Sequence, residues 1–272
     1  MHHATAVLVI AGTDSSGGAG LTRDVRVLAE CGMRAVPVVT AVTAQSNARV
    51  HAVHTLPPEM IRAQLVAARE THAIAAVKIG MLANRATVEI VAECLPSRDD
   101  VPIVLDPVLH ASSGNSLLDN AGRAALREHL LPKVSIVTPN IPEAALLTGG
   151  PAADQEDAAI DQARQILRMG ARAVLIKGGH ASGRECTDIL VSENSAPLRL
   201  VLDRTEGTLR GTGCALATAI AAGLARKLPL PYACRFAKNY VAAELVSASR
   251  ADTDGWVASL AGCLAPSTRI PQ

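Results

Sequence analysis

The feature that most constrains this chain is a set of short, nearly unbroken apolar runs, each closing on polar residues. The runs are Ala6 to Ala11, Ala35 to Val42, Ala76 to Ile79, Pro102 to Leu105, Val134 to Val137 and Ala173 to Ile176. A strand with one wet face alternates apolar with polar residues. A strand covered on both faces need not, and that is how parallel strands between two helical layers read. Amphipathic segments lie between the runs: Pro58 to Thr71, Asn84 to Leu95 with an N-cap residue at its start, and Asp154 to Met169, which stops at Gly170. This alternation predicts an α/β fold, a three-layer α/β/α sandwich around a central, mainly parallel sheet. Near the end the pattern changes. Asp188 to Ser192, a Glu-Asn-Ser turn and Leu198 to Leu202 read as an antiparallel hairpin, followed by Ala-rich helix up to Ser249. No linker or repeat divides the chain, so 1–265 is read as one domain and 266–272 as a frayed tail.

Composition narrows the function. Apolar residues make up 49%, enough for a large core, and the net charge of +1 offers no basic face for a nucleic acid. Apolar stretches such as Ala215 to Ala225 fall short of the ~20 residues a membrane span needs. Met1-His2-His3-Ala4 leads straight into the first run without a signal-peptide pattern, so a cytoplasmic protein is expected. The six cysteines, Cys31, Cys94, Cys186, Cys214, Cys234 and Cys263, contain no CxxC pair, which argues against zinc and against a disulfide framework. All four aromatic residues, Tyr232, Phe236, Tyr240 and Trp256, lie near the C-terminus. A ring-shaped ligand held by the preceding residues must rest on aliphatic side chains and hydrogen bonds.

In open parallel sheets, ligands bind beyond the carboxyl ends of the strands, and there the polar residues collect. Gly12-Thr13-Asp14-Ser15-Ser16-Gly17-Gly18-Ala19-Gly20 and Asp24 follow the first run, and Thr43-Ala44-Gln45 the second. Gly80-Met81 follows the third, Asp106-Pro107-Val108 the fourth, Asn140 and Glu143 the fifth, and Lys177-Gly178-Gly179-His180 the sixth. Six polar ends in register imply a shared mouth. No Gly-Lys dipeptide occurs, which excludes a P-loop. Neither Gly18-Ala19-Gly20 nor Gly211-Thr212-Gly213 is followed by glycine at dinucleotide-fingerprint spacing, so a nicotinamide-dependent oxidoreductase is the remote enzyme class.

Arg210-Gly211-Thr212-Gly213-Cys214 runs directly into the helix-forming Ala215 to Gly223. A glycine turn opening a helix presents free N–H groups and the positive end of the dipole to an anion. A cysteine in that first turn is expected to have a depressed pKa, which suits a base beside a transferring phosphoryl group. A tight turn with a buried cysteine fits the same residues equally well.

Together these motifs resemble the hydroxymethylpyrimidine/phosphomethylpyrimidine kinases of thiamin biosynthesis, within the ribokinase-like superfamily. The likeness spans roughly Ala6 to Ser249 and rests on seven motifs in family order. They are the Ala11 to Gly20 loop, Thr40 to Gln45, Val77-Lys78-Ile79-Gly80-Met81-Leu82, Val104 to Val108, Thr138-Pro139-Asn140-Ile141-Pro142-Glu143-Ala144, Lys177 to His180, and Gly211 to Cys214. The resemblance implies ATP-dependent phosphorylation of an aminopyrimidine alcohol, and of its monophosphate, with Mg2+, by a homodimer. It places Gly12, Asp24, Val42, Gln45, Met81 and Val108 around the pyrimidine. It gives Asp106, Asn140, Glu143, Lys177 and Gly179 to the nucleotide, with Asp106 and Glu143 organising the metal. It gives Gly211, Thr212, Gly213 and Cys214 to catalysis, the thiol accepting the alcohol proton. Plainer readings stand beside these. Gln45 is an ordinary loop residue, Met81 is core, Asp24 caps the helix beginning near Gly20, and Glu143 is a helix-start residue after Pro142. His180 and Asp188 shape the nucleotide loop.

The chain departs from the family pattern twice. Thr208-Leu209-Arg210 stands where the family typically has Asn-Thr-His, so that Arg210 either adds a phosphate contact or alters the ATP end. Leu109-His110-Ala111-Ser112-Ser113-Gly114 lacks the lysine or threonine often found before Ser-Gly. A pyridoxal-type kinase of the same superfamily and a non-catalytic pyrimidine-binding module are the competing readings.

Overall fold

The computed structural model describes residues 6–110, 114, 116–178, 184–204 and 209–250. Ten strands are assigned among them: β1 (Ala6–Ala11), β2 (Arg34–Val39), β3 (Ala41–Gln45), β4 (Val50–Thr55), β5 (Ile74–Ile79), β6 (Ile103–Leu105), β7 (Ile136–Val137), β8 (Ala173–Ile176), β9 (Glu185–Ser192) and β10 (Leu198–Asp203). Eight α-helices accompany them: α1 (Gly20–Glu30), α2 (Pro58–Thr71), α3 (Arg85–Cys94), α4 (Asn120–Ala125), α5 (Ile141–Thr148), α6 (Glu156–Arg168), α7 (Thr212–Ala225) and α8 (Leu230–Arg250). Short π and 3-10 turns cover Leu126–Leu130 and Leu131–Lys133. The tail 266–272, expected to fray, lies outside the described residues.

Eight strands form one sheet in the order β10-β9-β8-β7-β6-β5-β1-β2. From β2 to β8 the pairing is parallel, and β9 and β10 continue it antiparallel, as the hairpin reading required. The apolar runs are continuous because both faces are covered. Leu8, Ile10, Val77, Ile79 and Leu105 pack with α2, α3, α5 and α6 on one side. Val7, Val9, Ala11, Val104 and Leu175 pack with α1, α7 and α8 on the other. The mainly parallel three-layer fold is therefore as the sequence implied.

Three local differences have physical causes. The run from Ala35 to Val42 is not one strand, because the chain leaves the main sheet at the fully buried Thr40. There the backbone N–H donates to Ala11 O (3.0 Å) and the hydroxyl to Met81 O (2.6 Å), so a residue that reads as strand serves as a corner. Beyond it, β3 pairs with the unanticipated β4 in a separate two-stranded antiparallel sheet. Four central residues of β4 are exposed, so it carries no buried run to mark it. Thr13 N–H donates to Ala41 O (2.9 Å) and Leu56 N–H to Thr40 O (2.9 Å), fixing both strands of the hairpin at the same root. Helix α6 begins at Glu156, with Gln155 as its N-cap, two residues later than Asp154 suggested. Asn84 does cap α3, accepting from Thr87 N–H at 3.0 Å.

Helix α7 is the fold's device for bringing an N-terminus to the sheet. Ten of its residues are buried and most are Ala, so its backbone lies close to the strands. It packs against α8, where a Cβ on Gly223 would stand 3.0 Å from Ala233 Cβ, so larger side chains would overpack the contact. Arg23 on α1 pairs with Glu244 on α8 at 2.6 Å, which ties the two helices flanking α7 together.

Candidate active site

The parallel strands all point one way, so their carboxyl ends share one edge of the sheet. Strand order reverses beside β1, which has β2 on one side and β5 on the other; the loops after β1 and β5 flank that crevice. Gly12 and Met81 meet there. A Cβ on Gly12 would stand 2.9 Å from Met81 Sδ, so the loop backbone lies directly against the thioether, itself 8% exposed. The β3–β4 hairpin supplies an adjoining wall. Val42 is 49% exposed, Gln45 half-buried, and Gln45 Oε1 lies 3.4 Å from Thr43 Oγ1. Ser15 in the glycine loop fixes the Gln45 backbone by accepting from its N–H and donating to its carbonyl, both at 2.8 Å. Val108 is half-buried just past Asp106.

The second half of the mouth is built by two backbone turns in contact. Gly20 opens α1 at φ +59°, and a Cβ there would lie 2.5 Å from Gly12 O. Gly211 is the N-cap of α7 at φ +72°, and a Cβ there would lie 2.3 Å from Gly18 O. Both positions require glycine, for conformation and for space. The first-turn amides of Thr212, Gly213 and Cys214 have no partner within their own helix. Beside them, a Cβ on Gly213 would stand 3.3 Å from Lys177 Nζ and 3.8 Å from Asp106 Oδ2. Lys177 Nζ donates to Asp106 Oδ1 at 3.0 Å and lies 3.6 Å from Glu143 Oε2. Burial works against the lysine's charge, but Asp106 and then Glu143 outweigh it and hold the ammonium above its usual range. Burial pushes the Glu143 carboxyl up against the pull of Lys177.

Asn140 and Glu143 form a capping box at the start of α5, each side chain bonding the other's backbone N–H at 2.8 Å. The helix-start reading of Glu143 thus holds, and the same carboxylate also faces Lys177. Asp188 accepts from Gly178 N–H at 2.9 Å and pairs with Lys238 at 2.8 Å, fixing the end of β8. Gly179 and His180 lie outside the described residues. Among the described residues no three His, Cys, Asp or Glu side chains gather as metal ligands, and no helix is long and apolar enough to cross a membrane.

Two expectations need correcting. Asp24 does not cap α1, whose N-cap is Ala19 with no side-chain bond. Its carboxylate is fully buried, taking Lys78 Nζ at 2.6 Å and Thr218 Oγ1 at 2.7 Å on its two oxygens, so it meets protein groups where a substrate contact was expected. The Cys214 thiol is not depressed. Burial pushes it up to about 11, and neighbouring Asp24 and Asp106 add to that against Lys78 and the Gly20 N–H. A helix N-terminus favours a thiolate, but here desolvation, with the Asp24 and Asp106 carboxylates brought in by other elements, prevails.

Lys78 and Thr218 were missed altogether. The available signal was an unexplained cation inside the apolar run Ala76 to Ile79. Arg210, which departs from the family pattern, bonds Asp14, Ser16, Ser46 and Asn47.

The arrangement offers an anion cradle of amides and a lysine, a thiol at its edge, and an apolar crevice with one amide side chain for a flat polar ring. Known proteins resemble this chain in sequence and fold. The family model described as phosphomethylpyrimidine kinase matches residues 14–255. A hydroxymethylpyrimidine/phosphomethylpyrimidine kinase of Rhizobium meliloti (strain 1021) is 43% identical over 89% of this chain and 91% of its own length. Among solved structures, the phosphomethylpyrimidine kinase of Clostridium difficile 630 superposes with a TM-score of 0.76 at 35% identity, covering 88% of this chain and 98% of that one. The ADP complex of Bacillus subtilis pyridoxal kinase gives a TM-score of 0.81 at 29% identity, covering 89% and 92%.

Proposed function

The chain belongs to the phosphomethylpyrimidine kinase family and is a small-molecule kinase, and from that premise we propose that it phosphorylates an aminopyrimidine alcohol with ATP, then its monophosphate, in thiamin biosynthesis. The observation that carries this reading is the meeting of Lys177 and Asp106 with Gly213 at the first turn of α7, across from the crevice of Gly12 and Met81. The γ-phosphoryl group rests on the amides of Gly211 to Cys214 and on Lys177. The ring lies against Met81, Val42 and Val108, with Gln45 offering both a donor and an acceptor to its edge. Positioning and preorganised charge supply most of the acceleration.

Mg2+ fits the donor set. Asp106 and Glu143 are hard oxygen ligands beside the cradle, and Mg2+ commonly takes one or two carboxylates with phosphate oxygens and water. Bound there, the ion would neutralise charge on the phosphates. Asn140 braces Glu143 for that role through the capping box.

Cys214, as its thiolate, accepts the alcohol proton in the first reaction and becomes the neutral thiol, while in the second the acceptor is already an anion and needs no base. A thiol at about 11 is neutral near pH 7. Its basic form grows about tenfold per pH unit below that value. The alcohol step therefore climbs between pH 7 and 9, whereas the phosphate step stays level. Cys214→Ala lowers kcat of the alcohol step by ~10²-fold and spares the second. Separate assays of the two acceptors decide this, and equal losses would remove the base assignment.

The pyridoxal-kinase reading keeps one supporting observation, the TM-score of 0.81 to such an enzyme. ADP release with the aminopyrimidine alcohol and with pyridoxal separates the two. Release with neither would favour the binding module. We also read 1–265 as one domain, supported by the single sheet running from β2 to β10, and place the enzyme in the cytoplasm as a homodimer. What supports a second copy is Val53, exposed on the hairpin face opposite that of Val42.

A further inference from the structure

The β3–β4 hairpin is a weakly supported element that carries a wall of the crevice. Among the described residues its two strands pair only with each other, and an isolated two-stranded hairpin is marginally stable in water. Val42 on one face and Val53 on the other are 49% and 42% exposed, so each face has an apolar side chain that packs poorly. The hairpin tip must be held by polar contacts, and two of these, between described residues, reach it from outside. One is Ser15 on the Gln45 backbone. The other is Arg210, from the residue directly before the α7 N-cap. Arg210 Nη1 lies 2.8 Å from Ser16 Oγ, 3.0 Å from Asn47 Oδ1 and 3.2 Å from Ser46 O, and Nη2 lies 3.3 Å from Asp14 Oδ2. The contact with Asp14 is an ion pair whose carboxylate is 3% exposed. Asp14 is also fixed, its Oδ1 accepting from the Ser16 N–H and hydroxyl at 2.9 and 2.8 Å.

We propose that Arg210 is a positioning residue that straps the hairpin tip to the glycine-rich loop and to the anion-binding turn of α7. One planar guanidinium reaches two separate segments, the loop at Asp14 and Ser16 and the tip at Ser46 and Asn47, while its own backbone leads into the α7 turn, which suits arginine's forked donors and not a point charge. Its neighbour Gly211 is wedged against Gly18 O, so the loop, the turn and the hairpin become one body. The strap sets the height of Gln45 over the crevice, so it acts on acceptor binding. It does so without touching the phosphates, unlike the phosphate contact that the bare sequence also allowed.

The kinetic half of this inference rests on the kinase reading; the structural half does not. Hydrogen–deuterium exchange on the full chain measures the strap directly. In Arg210→Ala, peptides from 41–50 exchange at least ~10-fold faster while those from α2 do not change, and Arg210→Lys restores part of the protection. Asn47→Ala, at the exposed tip, gives a smaller rise that does not add to that of Arg210→Ala. KM for the aminopyrimidine alcohol rises ~10-fold in Arg210→Ala, with KM for ATP within ~2-fold. Unchanged exchange across the hairpin overturns the proposal. So does a rise in the KM for ATP alone, which would return Arg210 to the phosphates. If wild-type protein phosphorylated neither alcohol, the function would fall while the exchange data still judged the strap.

Discussion

Lys78 and Lys177 both stand near the carboxyl ends of parallel strands and both meet buried aspartates, yet their surroundings differ. Lys78, on β5, and its partner Asp24 are 0% exposed, and Thr218 occupies the second carboxylate oxygen. Burial alone would lower the Lys78 ammonium, but Asp24 overcomes it and keeps the charge. Lys177, past β8, is 14% exposed, shared between two carboxylates, and adjacent to an amide turn. In the first pair every charge is answered by protein. The second has a cradle beside it that only an anion completes. The same chemistry is thus structural where it is sealed and functional where it is left open.

The comparison can be broken by substitution. Lys78→Met leaves the Asp24 carboxylate buried without its cation and should lower stability by ~3–5 kcal/mol in chemical denaturation. A loss below ~1 kcal/mol would mean the pair is wet and not sealed. Lys177→Ala should cost both phosphorylation steps ~10²–10³-fold in kcat. Its melting temperature should shift far less than that of Lys78→Met, because Glu143, already pushed up by burial, can take a proton in place of the lost cation. If stability fell as far as in Lys78→Met, the distinction between the two lysines would fail. Thr218→Val sharpens the contrast with the smallest expected change, ~1.5–3 kcal/mol, from loss of one hydrogen bond to a buried charge. Its KM for ATP should stay at the wild-type value, and a rise there would connect the sealed pair to the nucleotide.

The sheet was legible because its strands are covered on both faces, leaving runs such as Val7 to Ala11 that only a layered fold explains. The hairpin was not. β4 exposes His51, Ala52, Val53 and His54 and among the described strands pairs with β3 alone, so no periodicity announces it. Thr40 has a β-branched side chain in an apolar run, and its role as a corner is written in Ala11 and Met81, far away in sequence. The site follows the same division. Lys177 was visible because its run ended there and polar residues followed. Lys78 was hidden inside a run, and its partner Asp24 lies 54 residues earlier. Cys214 was found through the glycine turn of which it is part. Its proton affinity was misread because that depends on burial and carboxylates brought in by other elements. Arg210 was recognisable as unusual, but its targets Ser46 and Asn47 lie on the element the sequence did not reveal.

The anchoring of the hairpin at Thr40 makes it a cantilever. Both strands are clamped at the root, through Thr40, Ala41 and Leu56, and the arm from Ala41 to Gln45, stayed by Thr43 on Thr13 O and by Ser15 on Gln45, extends ~17 Å at strand rise. On an arm of that length, a swing of ~4° at the clamp displaces the far end by about 1 Å, an error that can cost ~10²-fold in rate at a reacting centre. A fastener has most leverage where the beam's travel is greatest, and the guanidinium of Arg210 grips the two residues just beyond that end.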